Sequence, residues 1–385
     1  MKPIVVADEA ALIRLANELE NVHRFAIDLE SDGMYAFRAK LCVIQIATDS
    51  AIWIIDSLAV SPAPLANVLS GDGPVKIIHD VAFDARLLAE ANIFLGNVHD
   101  TALAAQWLGR PATGLGNLLL ADLQISVDKS MQHHDWSRRP LDEKAITYLT
   151  SDVAHLCQLH DRLWGELNEK GIEAEVLVET DYRIATAVEG ARSPSPPAYL
   201  RMKGIEKASP SSRPVLRRLA QLRERLAESA NVPPHKIVSN ETLFTIAERA
   251  PETEAKLLSL RGAERLRQVA REVVSAIRDS KGESLPTDEE VFFQRPRISR
   301  EEIQERKQRE SALNAWRKAE AAKRGVDEQA VLPGHCLREF ASRGGWTYEE
   351  LASVGGFGAG RIARYGEEIV TALRTPPVSE TEATK

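Results

Sequence analysis

The chain has 385 residues, of which 44% are hydrophobic and 27% are charged, and its formal net charge is −7 at pH 7. This composition is typical of a globular protein, and the sequence contains no apolar run long enough to span a membrane. The length allows two or three domains of roughly 100–200 residues each. The three cysteines are scattered, so they predict neither a disulfide framework nor a zinc site.

The charges are distributed unevenly along the chain. Residues 1–190 contain 15 Lys and Arg against 28 Asp and Glu, a net charge of −13, whereas residues 191–385 contain 34 against 28, a net charge of +6. An acidic front half and a basic back half suit a polyanion that the back half binds and the front half processes with metal ions. A plain difference in surface composition would give the same counts.

The first predicted element is a strand at residues 25–30, in which three apolar residues alternate with Ala26, Asp28 and Glu30. Alternation with period two puts the apolar residues on one face and both carboxylates on the other. Two neighbouring carboxylates repel each other, so they indicate either a divalent cation between them or a solvated strand end. These six residues alone leave both interpretations open.

The next elements predict the architecture of the front half. Strands at 41–47 and 51–56 are separated by a turn too short for a helix, so they form an antiparallel meander with the first strand. Strands and helices then alternate: strands at 74–78 and 97–99, and helices at 81–91, 101–108 and 141–167. A meander followed by βαβα units predicts an α/β domain with a mixed sheet and flanking helices.

The back half is predicted to be helical. A stretch rich in proline and serine at 191–214 has the composition of a linker. Beyond it an internal repeat has a period of 94 residues, which aligns Leu219 with Leu313 and Gly262 with Gly356. We therefore predict a front domain at 1–195, two all-α helical bundles at 210–282 and 304–375, and a disordered tail at 376–385.

Three further residues of the front half could join the carboxylates of the first strand. Asp84 lies in the first turns of the helix at 81–91, while Tyr148 and Asp152 are four residues apart on one face of a later helix. Phosphodiester cleavage with two metal ions needs several carboxylates at one point and a group that orients the attacking water. Each residue alone is commonly structural, so the informative signal is their order and their placement.

Three sequence motifs contain these residues. They are Ile27-Asp28-Leu29-Glu30-Ser31, the stretch from His79 to Asp84, and the Tyr-x-x-x-Asp pattern at 148–152. In this order they resemble the three motifs of the ribonuclease D family, which belongs to the tyrosine subclass of the DEDD superfamily of 3′–5′ exonucleases. Residues 127–130 and 135–141 resemble the stretch that separates this family from the proofreading domains of DNA polymerases.

The resemblance covers about residues 1–185 and implies a ribonuclease H-like fold with two divalent ions, normally Mg²⁺ or Mn²⁺. It implies that Asp28, Glu30 and Asp152 hold the first ion. Asp28 would bridge to the second ion, with Asp84 bound directly or through water. Tyr148 would position the attacking water, and nucleoside 5′-monophosphates would leave from a 3′ end.

Four further residues are candidates for substrate contact: His79, Trp136, Arg139 and Arg361. His79 is interpreted either as a substrate contact or as a satisfied core histidine. Trp136 and Arg139 either stack on a base and pair with a phosphate or hold their own loop in place.

The two helical repeats resemble HRDC domains, small bundles that bind nucleic acid in ribonuclease D and RecQ-type helicases. The second repeat has a glycine-rich turn at 354–360 followed by Arg361, which we interpret as a phosphate-binding turn. The first repeat keeps one glycine there, so its phosphate role is open. It is expected to be basic through four arginines: Arg217, Arg218, Arg223 and Arg225.

Together these features predict a cytoplasmic, monomeric 3′–5′ exoribonuclease that has no membrane partner and trims the 3′ trailers of tRNA precursors and other small structured RNAs. The alternatives are a 3′–5′ DNA exonuclease of the same superfamily and a catalytically silent nucleic-acid-binding module. The intact set of four acids and one tyrosine argues against the silent module, whereas no motif distinguishes RNA from DNA.

Overall fold

This computed structural model describes residues 1–128, 130–294 and 299–374. The predicted disordered tail, residue 375 at the end of the second helical domain, and Lys129 of the family-specific stretch lie outside the described residues. The described chain divides into two compact units. The first contains residues 1–30, 41–192 and 299–374, and the second contains residues 31–40 and 193–294. The predicted domain boundaries stay a prediction.

Within the described residues the first unit contains a six-stranded mixed sheet with the strand order β1-β4-β3-β2-β5-β6. Its strands are β1 (Ile4–Val6), β2 (Arg24–Ser31), β3 (Leu41–Ala47), β4 (Ile52–Asp56), β5 (Val75–Ile78) and β6 (Val98–Asp100). β3 pairs antiparallel with β4, whereas β1 is parallel to β4, and β5 is parallel to both β2 and β6. The predicted fold class, a mixed sheet with flanking helices, is confirmed.

Eight α-helices accompany the sheet in the described part of residues 1–192. They are α1 (Glu9–Leu19), α2 (Ala66–Ser70), α3 (Val81–Glu90), α4 (Thr101–Trp107), α5 (Leu115–Leu123), α6 (Glu143–Ala154), α7 (Leu156–Lys170) and α8 (Glu173–Arg192). Sequence analysis did not predict β1 and α1. The side chain of Asp8 caps α1 by accepting a hydrogen bond from the amide of Ala11 at 2.8 Å.

The predicted helix at 141–167 is wrong in one respect, because the structure has two helices there. His155, between α6 and α7, has φ −119° and ψ 4°, outside the α-helical region. Apolar periodicity continues across this residue, since Val153, Leu156 and Leu163 all belong to the same hydrophobic cluster. Periodicity reports which residues face the core and does not reveal a break of one residue.

The strand β2 is buried on both faces before it reaches its carboxylates. Phe25, Ile27 and Leu29 belong to one hydrophobic cluster, and Ala26 belongs to the cluster on the other face. Because β2 and β5 run parallel, their carboxyl ends meet at the same edge of the sheet. Asp28 and the start of α3 are therefore brought to one edge.

The helical repeats have their own cores. In the second unit the helices are α9 (Arg213–Ala230), α10 (Pro234–Ile237), α11 (Asn240–Arg249), α12 (Glu254–Leu258), α13 (Ala270–Asp279) and α14 (Thr287–Val291). In the first unit they are α15 (Arg300–Arg324), α16 (Glu328–Val331), α17 (Gly334–Ser342), α18 (Tyr348–Ala352) and α19 (Ala359–Arg374). The described residues also contain four short 3₁₀ helices: Ala63–Leu65, Ala198–Arg201, Ile205–Lys207 and Ala263–Val269. Among the described helices, none combines the length and the apolar character that a bilayer crossing requires.

Candidate active site

Three carboxylates meet beside the sheet. Asp28 and Glu30 are two residues apart on β2 and therefore share a face, and Asp152 is on α6. Each of the three offers one carboxylate oxygen, and these oxygens all lie within 4.8 Å of one another. A strand and a helix that are far apart in sequence thus contribute to one acidic cluster.

The position of α6 is fixed by its cap and by its buried face. The Asp142 carboxylate accepts a hydrogen bond from the amide of Ala145 at 2.7 Å, which satisfies one free N–H of the first turn. Leu149 and Val153 are fully buried on this helix. The packing of this face holds Asp152 in register with β2.

The three carboxylates are protonated more readily than ordinary acids. Burial raises the pKa of Asp28 to about 7. Burial, then the charges of Asp28 and Asp152, raise the pKa of Glu30 to about 9, and burial followed by the charge of Asp28 raises that of Asp152 to about 8. A half-buried set of oxygen donors that repel one another is stabilised by a divalent cation, so these residues fit such an ion.

Asp84 lies beside this cluster without belonging to it. Its side chain is on α3 and is only 5% exposed. Burial, followed by the charges of Asp28 and Glu30, raises its pKa well above the usual range. The fourth predicted acid therefore lies within electrostatic reach of Asp28 and Glu30.

Asp100 orients the start of α3, and sequence analysis did not single it out. This carboxylate is completely buried and accepts four backbone hydrogen bonds. The donors are Asp80 at 3.0 Å, Val81 at 3.1 Å, Ala102 at 2.9 Å and Leu103 at 3.2 Å. It thereby caps α3 and α4 together. The available signal was an Asp directly before a helical pattern, which is a helix-start signature.

The phenol of Tyr148 lies one helical turn before Asp152. Its side chain is mostly buried, and its ring centroid is 5.7 Å from that of Trp136. Burial raises the pKa of Tyr148, and the charges of Asp152 and Glu30 raise it further. The phenol is therefore neutral near pH 7 and keeps its proton as a hydrogen-bond donor.

Comparisons with known proteins identify the chain. The 3′-5′ exonuclease family matches residues 3–168, and the HRDC domain family matches residues 212–277 and 306–373. Ribonuclease D of Zymomonas mobilis subsp. mobilis is 32% identical over 264 residues, which are 67% of this chain and 67% of that protein. The chain belongs to the ribonuclease D family of 3′–5′ exoribonucleases.

Solved structures show the same fold. The structure of Escherichia coli RNase D, an exoribonuclease involved in structured RNA processing, has a TM-score of 0.73 and 19% identity and covers 97% of this chain and 99% of its own. A protein from Bifidobacterium adolescentis has a TM-score of 0.76 and 21% identity, with 97% of each chain covered. These matches extend the ribonuclease D fold over the sheet and both helical repeats. Divalent metal use, which this exonuclease fold implies, agrees with the carboxylate cluster.

Trp136 and Arg139 hold their loop in the structure. Trp136 is 1% exposed, so its ring has no free face for a base. The guanidinium of Arg139 donates to both carboxylate oxygens of Asp56 at 2.7 Å, to the carbonyl of Cys42 at 3.0 Å and to the carbonyl of Trp136 at 2.7 Å. Of the two interpretations from the sequence, the geometry favours the structural one for both residues.

His79 is a half-buried residue at the start of α3. Its Nδ1 atom is 3.0 Å from the hydroxyl of Thr101, which donates to the carbonyl of Ile78 at 3.1 Å. Since that hydroxyl already donates elsewhere, it accepts the proton of Nδ1. Burial lowers the pKa of His79, so the ring is neutral near pH 7. These contacts give it a structural partner at the edge of the ribonuclease D site.

The expectation that Arg361 contacts RNA requires correction, because this side chain is 1% exposed. Its Nε donates to the carbonyl of Ala330 at 2.9 Å, and Nη1 donates to the carbonyls of Gly356 at 3.1 Å and Phe357 at 3.0 Å. The guanidinium carbon lies 4.8 Å from the ring centroid of Trp107 on α4. Arg361 therefore packs the second helical repeat against the exonuclease helices.

The glycine-rich turn of the second repeat also packs against α8. Gly356 and Gly358 both have φ 78°, which favours glycine. A Cβ on Gly356 would lie 2.5 Å from Nε2 of His335, and a Cβ on Gly358 would lie 3.0 Å from Val178. These glycines permit close contact between helices, so the interpretation as an open phosphate-binding turn is wrong.

Proposed function

We propose that this protein removes nucleoside 5′-monophosphates from the 3′ ends of tRNA precursors and other small structured RNAs. It does so with two divalent ions, Mg²⁺ or Mn²⁺, and acts as a cytoplasmic monomer. The observation that carries this proposal is the convergence of Asp28, Glu30 and Asp152 within 4.8 Å. Family membership supports exonuclease chemistry, and the similarity to ribonuclease D of Zymomonas mobilis supports RNA as the substrate.

The four acids are the proposed ligands of the two ions. Asp28, Glu30 and Asp152 would hold the first ion, and Asp28 would also bind the second, with Asp84 directly or through water. When bound, the ions neutralise these acids and stabilise the charge that develops on the scissile phosphate. The raised pKa values of the three converging carboxylates support this assignment, because a cation relieves their mutual repulsion.

Tyr148 would orient the attacking water. Its neutral phenol lies one turn from Asp152 and can hold a water by hydrogen bonding. The water oxygen gives up a proton and forms a bond to the phosphorus that links the last two nucleotides, as that phosphorus separates from the 3′ oxygen of the preceding nucleotide. The leaving oxygen takes up a proton, and the product is a nucleoside 5′-monophosphate.

Product analysis on two matched substrates tests this function. A 5′-labelled tRNA precursor with a 3′ extension and a DNA strand of the same sequence are incubated with Mg²⁺, with Mn²⁺ and with chelator. We expect stepwise shortening of the RNA from its 3′ end, release of nucleoside 5′-monophosphates and no reaction with chelator. Faster shortening of the DNA would instead assign a DNA exonuclease, and internal cuts would contradict the exonuclease.

A further inference from the structure

The second unit contains a cleft of about 590 Å³ that the site described above does not use. It lies between the loop at residues 31–40 and the first helical repeat. Its walls include an aromatic ring, three guanidinium groups, an amide and a hydroxyl: Phe37, Arg38, Arg201, Arg223, Asn240 and Ser195. None of the four acids of the exonuclease site lines it.

The loop that forms one wall of this cleft follows Glu30 directly in the chain. Within the second unit, Arg38 forms an ion pair with Glu228 at 2.9 Å, and the amide of Phe37 donates to Asn231 at 3.4 Å. The ammonium of Lys236 lies 4.9 Å from the ring centroid of Tyr35. The contacts of Phe37 and Tyr35 attach the loop to the helices of the repeat and keep Phe37 at the cleft.

Arg223 is a buried cation with an unused donor. Its side chain is on α9 and the residue is 6% exposed. Nη1 donates to the amide oxygen of Asn240 at 2.7 Å, and Nη2 lies 3.7 Å from the carboxylate of Glu224, while Nε has no partner among the described atoms. Burial lowers the pKa of Arg223, opposed by Glu224 and assisted by Arg201. The Nε atom is itself enclosed, so it is the buried guanidinium charge of Arg223, which lines the cleft, that favours an anionic ligand there.

Two further arginines of the cleft can reach a ligand. Arg201 is exposed and has no ion pair within the described part of the chain. Arg38 and Glu228 have exposed side chains, at 80% and 56%, so their ion pair contributes little and can be exchanged for another acceptor.

Three other arginines of the first repeat are paired with glutamates. The sequence led us to expect a basic surface from Arg217, Arg218 and Arg225. In the structure they pair with Glu289, Glu283 and Glu272 respectively. These three arginines face glutamates of their own unit, whereas Arg201 at the cleft has no ion pair among the described residues.

We propose that this cleft binds an RNA nucleotide other than the one being removed, with its phosphate on Arg201 and Arg223 and its base against Phe37. This inference rests on the proposed action on RNA. A guanidinium matches the geometry of a phosphate with paired N–H donors, and an aromatic ring accepts any base by stacking. The Glu224 carboxylate also lines the cleft and repels a phosphate, so we expect the phosphate to lie away from Glu224.

A charge-reversal pair tests the cleft. We compare Arg201→Glu with Arg249→Glu, which reverses an exposed arginine of the same unit outside the cleft and so matches the change in net charge. Binding of a 5′-labelled 3′-extended tRNA precursor is measured by fluorescence anisotropy in EDTA at several salt concentrations. Arg201→Glu should raise Kd roughly tenfold and reduce the salt dependence of binding by about one counterion. The Kd of Arg249→Glu should stay within about twofold of the parent value.

A second variant and an activity assay separate the possible failures. Phe37→Leu keeps an apolar side chain without an aromatic face. It should therefore raise Kd and leave the salt dependence of binding unchanged. In Mg²⁺, Arg201→Glu should raise KM for the precursor and leave kcat unchanged. If the parent protein shortens RNA but Arg201→Glu matches Arg249→Glu, the cleft assignment is overturned and the proposed function stands. If the parent shortens no RNA with either metal, the proposed function fails first.

Discussion

Asp28 on β2 and Asp152 on α6 bring their carboxylate oxygens within 4.8 Å of each other, and burial with the charge of Asp28 raises the pKa of Asp152 to about 8. In the folded protein these carboxyls hold protons that the unfolded chain, with ordinary pKa values near 4, has already released. The folded state therefore binds more protons between about pH 4 and the folded pKa values, and metal-free stability falls as pH rises through this window.

The corresponding prediction concerns thermal stability with and without metal. In EDTA, Tm should fall as pH rises from about 5 to about 9, and Mg²⁺ should restore more of it at the higher pH. Thermal melts at matched ionic strength measure both. A Tm in EDTA that rises over this interval would contradict the assigned pKa directions.

Asp28→Asn should abolish cleavage while RNA binding stays nearly intact, because Asp28 is the proposed ligand of both ions. The same change removes one buried like charge, so metal-free Tm at high pH should rise by several degrees. Asp72→Asn, at an exposed acid, is the matched control and should change neither quantity. Turnover of Asp28→Asn within about tenfold of the parent would refute the two-ion assignment.

Tyr148→Phe should slow cleavage roughly 10²-fold or more, in the range of groups that handle protons and water. The ring and its packing against Trp136 are kept, so Tm and metal affinity should change little. Single-turnover rates and Mn²⁺ titration provide the two measurements. Lost metal affinity with an unchanged rate at saturating metal would assign Tyr148 a ligand role instead.

Arg361→Ala should destabilise the protein and leave the RNA affinity of the folded protein unchanged. Its removal takes the donor from three carbonyls, and each buried group left unpaired costs about 1–3 kcal/mol. Arg265→Ala, at an exposed arginine of the first repeat, should leave Tm unchanged. A lower RNA affinity for Arg361→Ala at unchanged Tm would restore the phosphate-binding interpretation.

The sequence predicted the elements that bear the four acids because strand alternation and local motif order are short-range signals. Asp28 and Glu30 alternate with buried residues on β2, and Tyr148 and Asp152 share one helix, as expected. Asp100 was missed because its four backbone partners become neighbours only when α3 and α4 fold against the sheet.

The second repeat shows why the phosphate-binding interpretation of its glycine-rich turn and Arg361 was wrong. A glycine-rich turn followed by an arginine is typical both of a phosphate site and of close helix packing. Only the element that packs against the turn distinguishes the two. That element, α8 with Val178, is about 180 residues away in sequence. The linker composition at 191–214 stays a predicted boundary, and composition alone does not reveal that residues 299–374 belong to the same compact unit as residues 1–30 and 41–192.

The most direct test of the proposed metal centre is anomalous diffraction from crystals soaked in Mn²⁺ and a nucleoside 5′-monophosphate. We predict one Mn²⁺ peak bound by Asp28, Glu30 and Asp152 and a second peak that shares Asp28. Crystals of Asp28→Asn, treated identically, should lose the second peak and weaken the first. Mn²⁺ bound elsewhere, with no peak at these three carboxylates, would contradict this prediction.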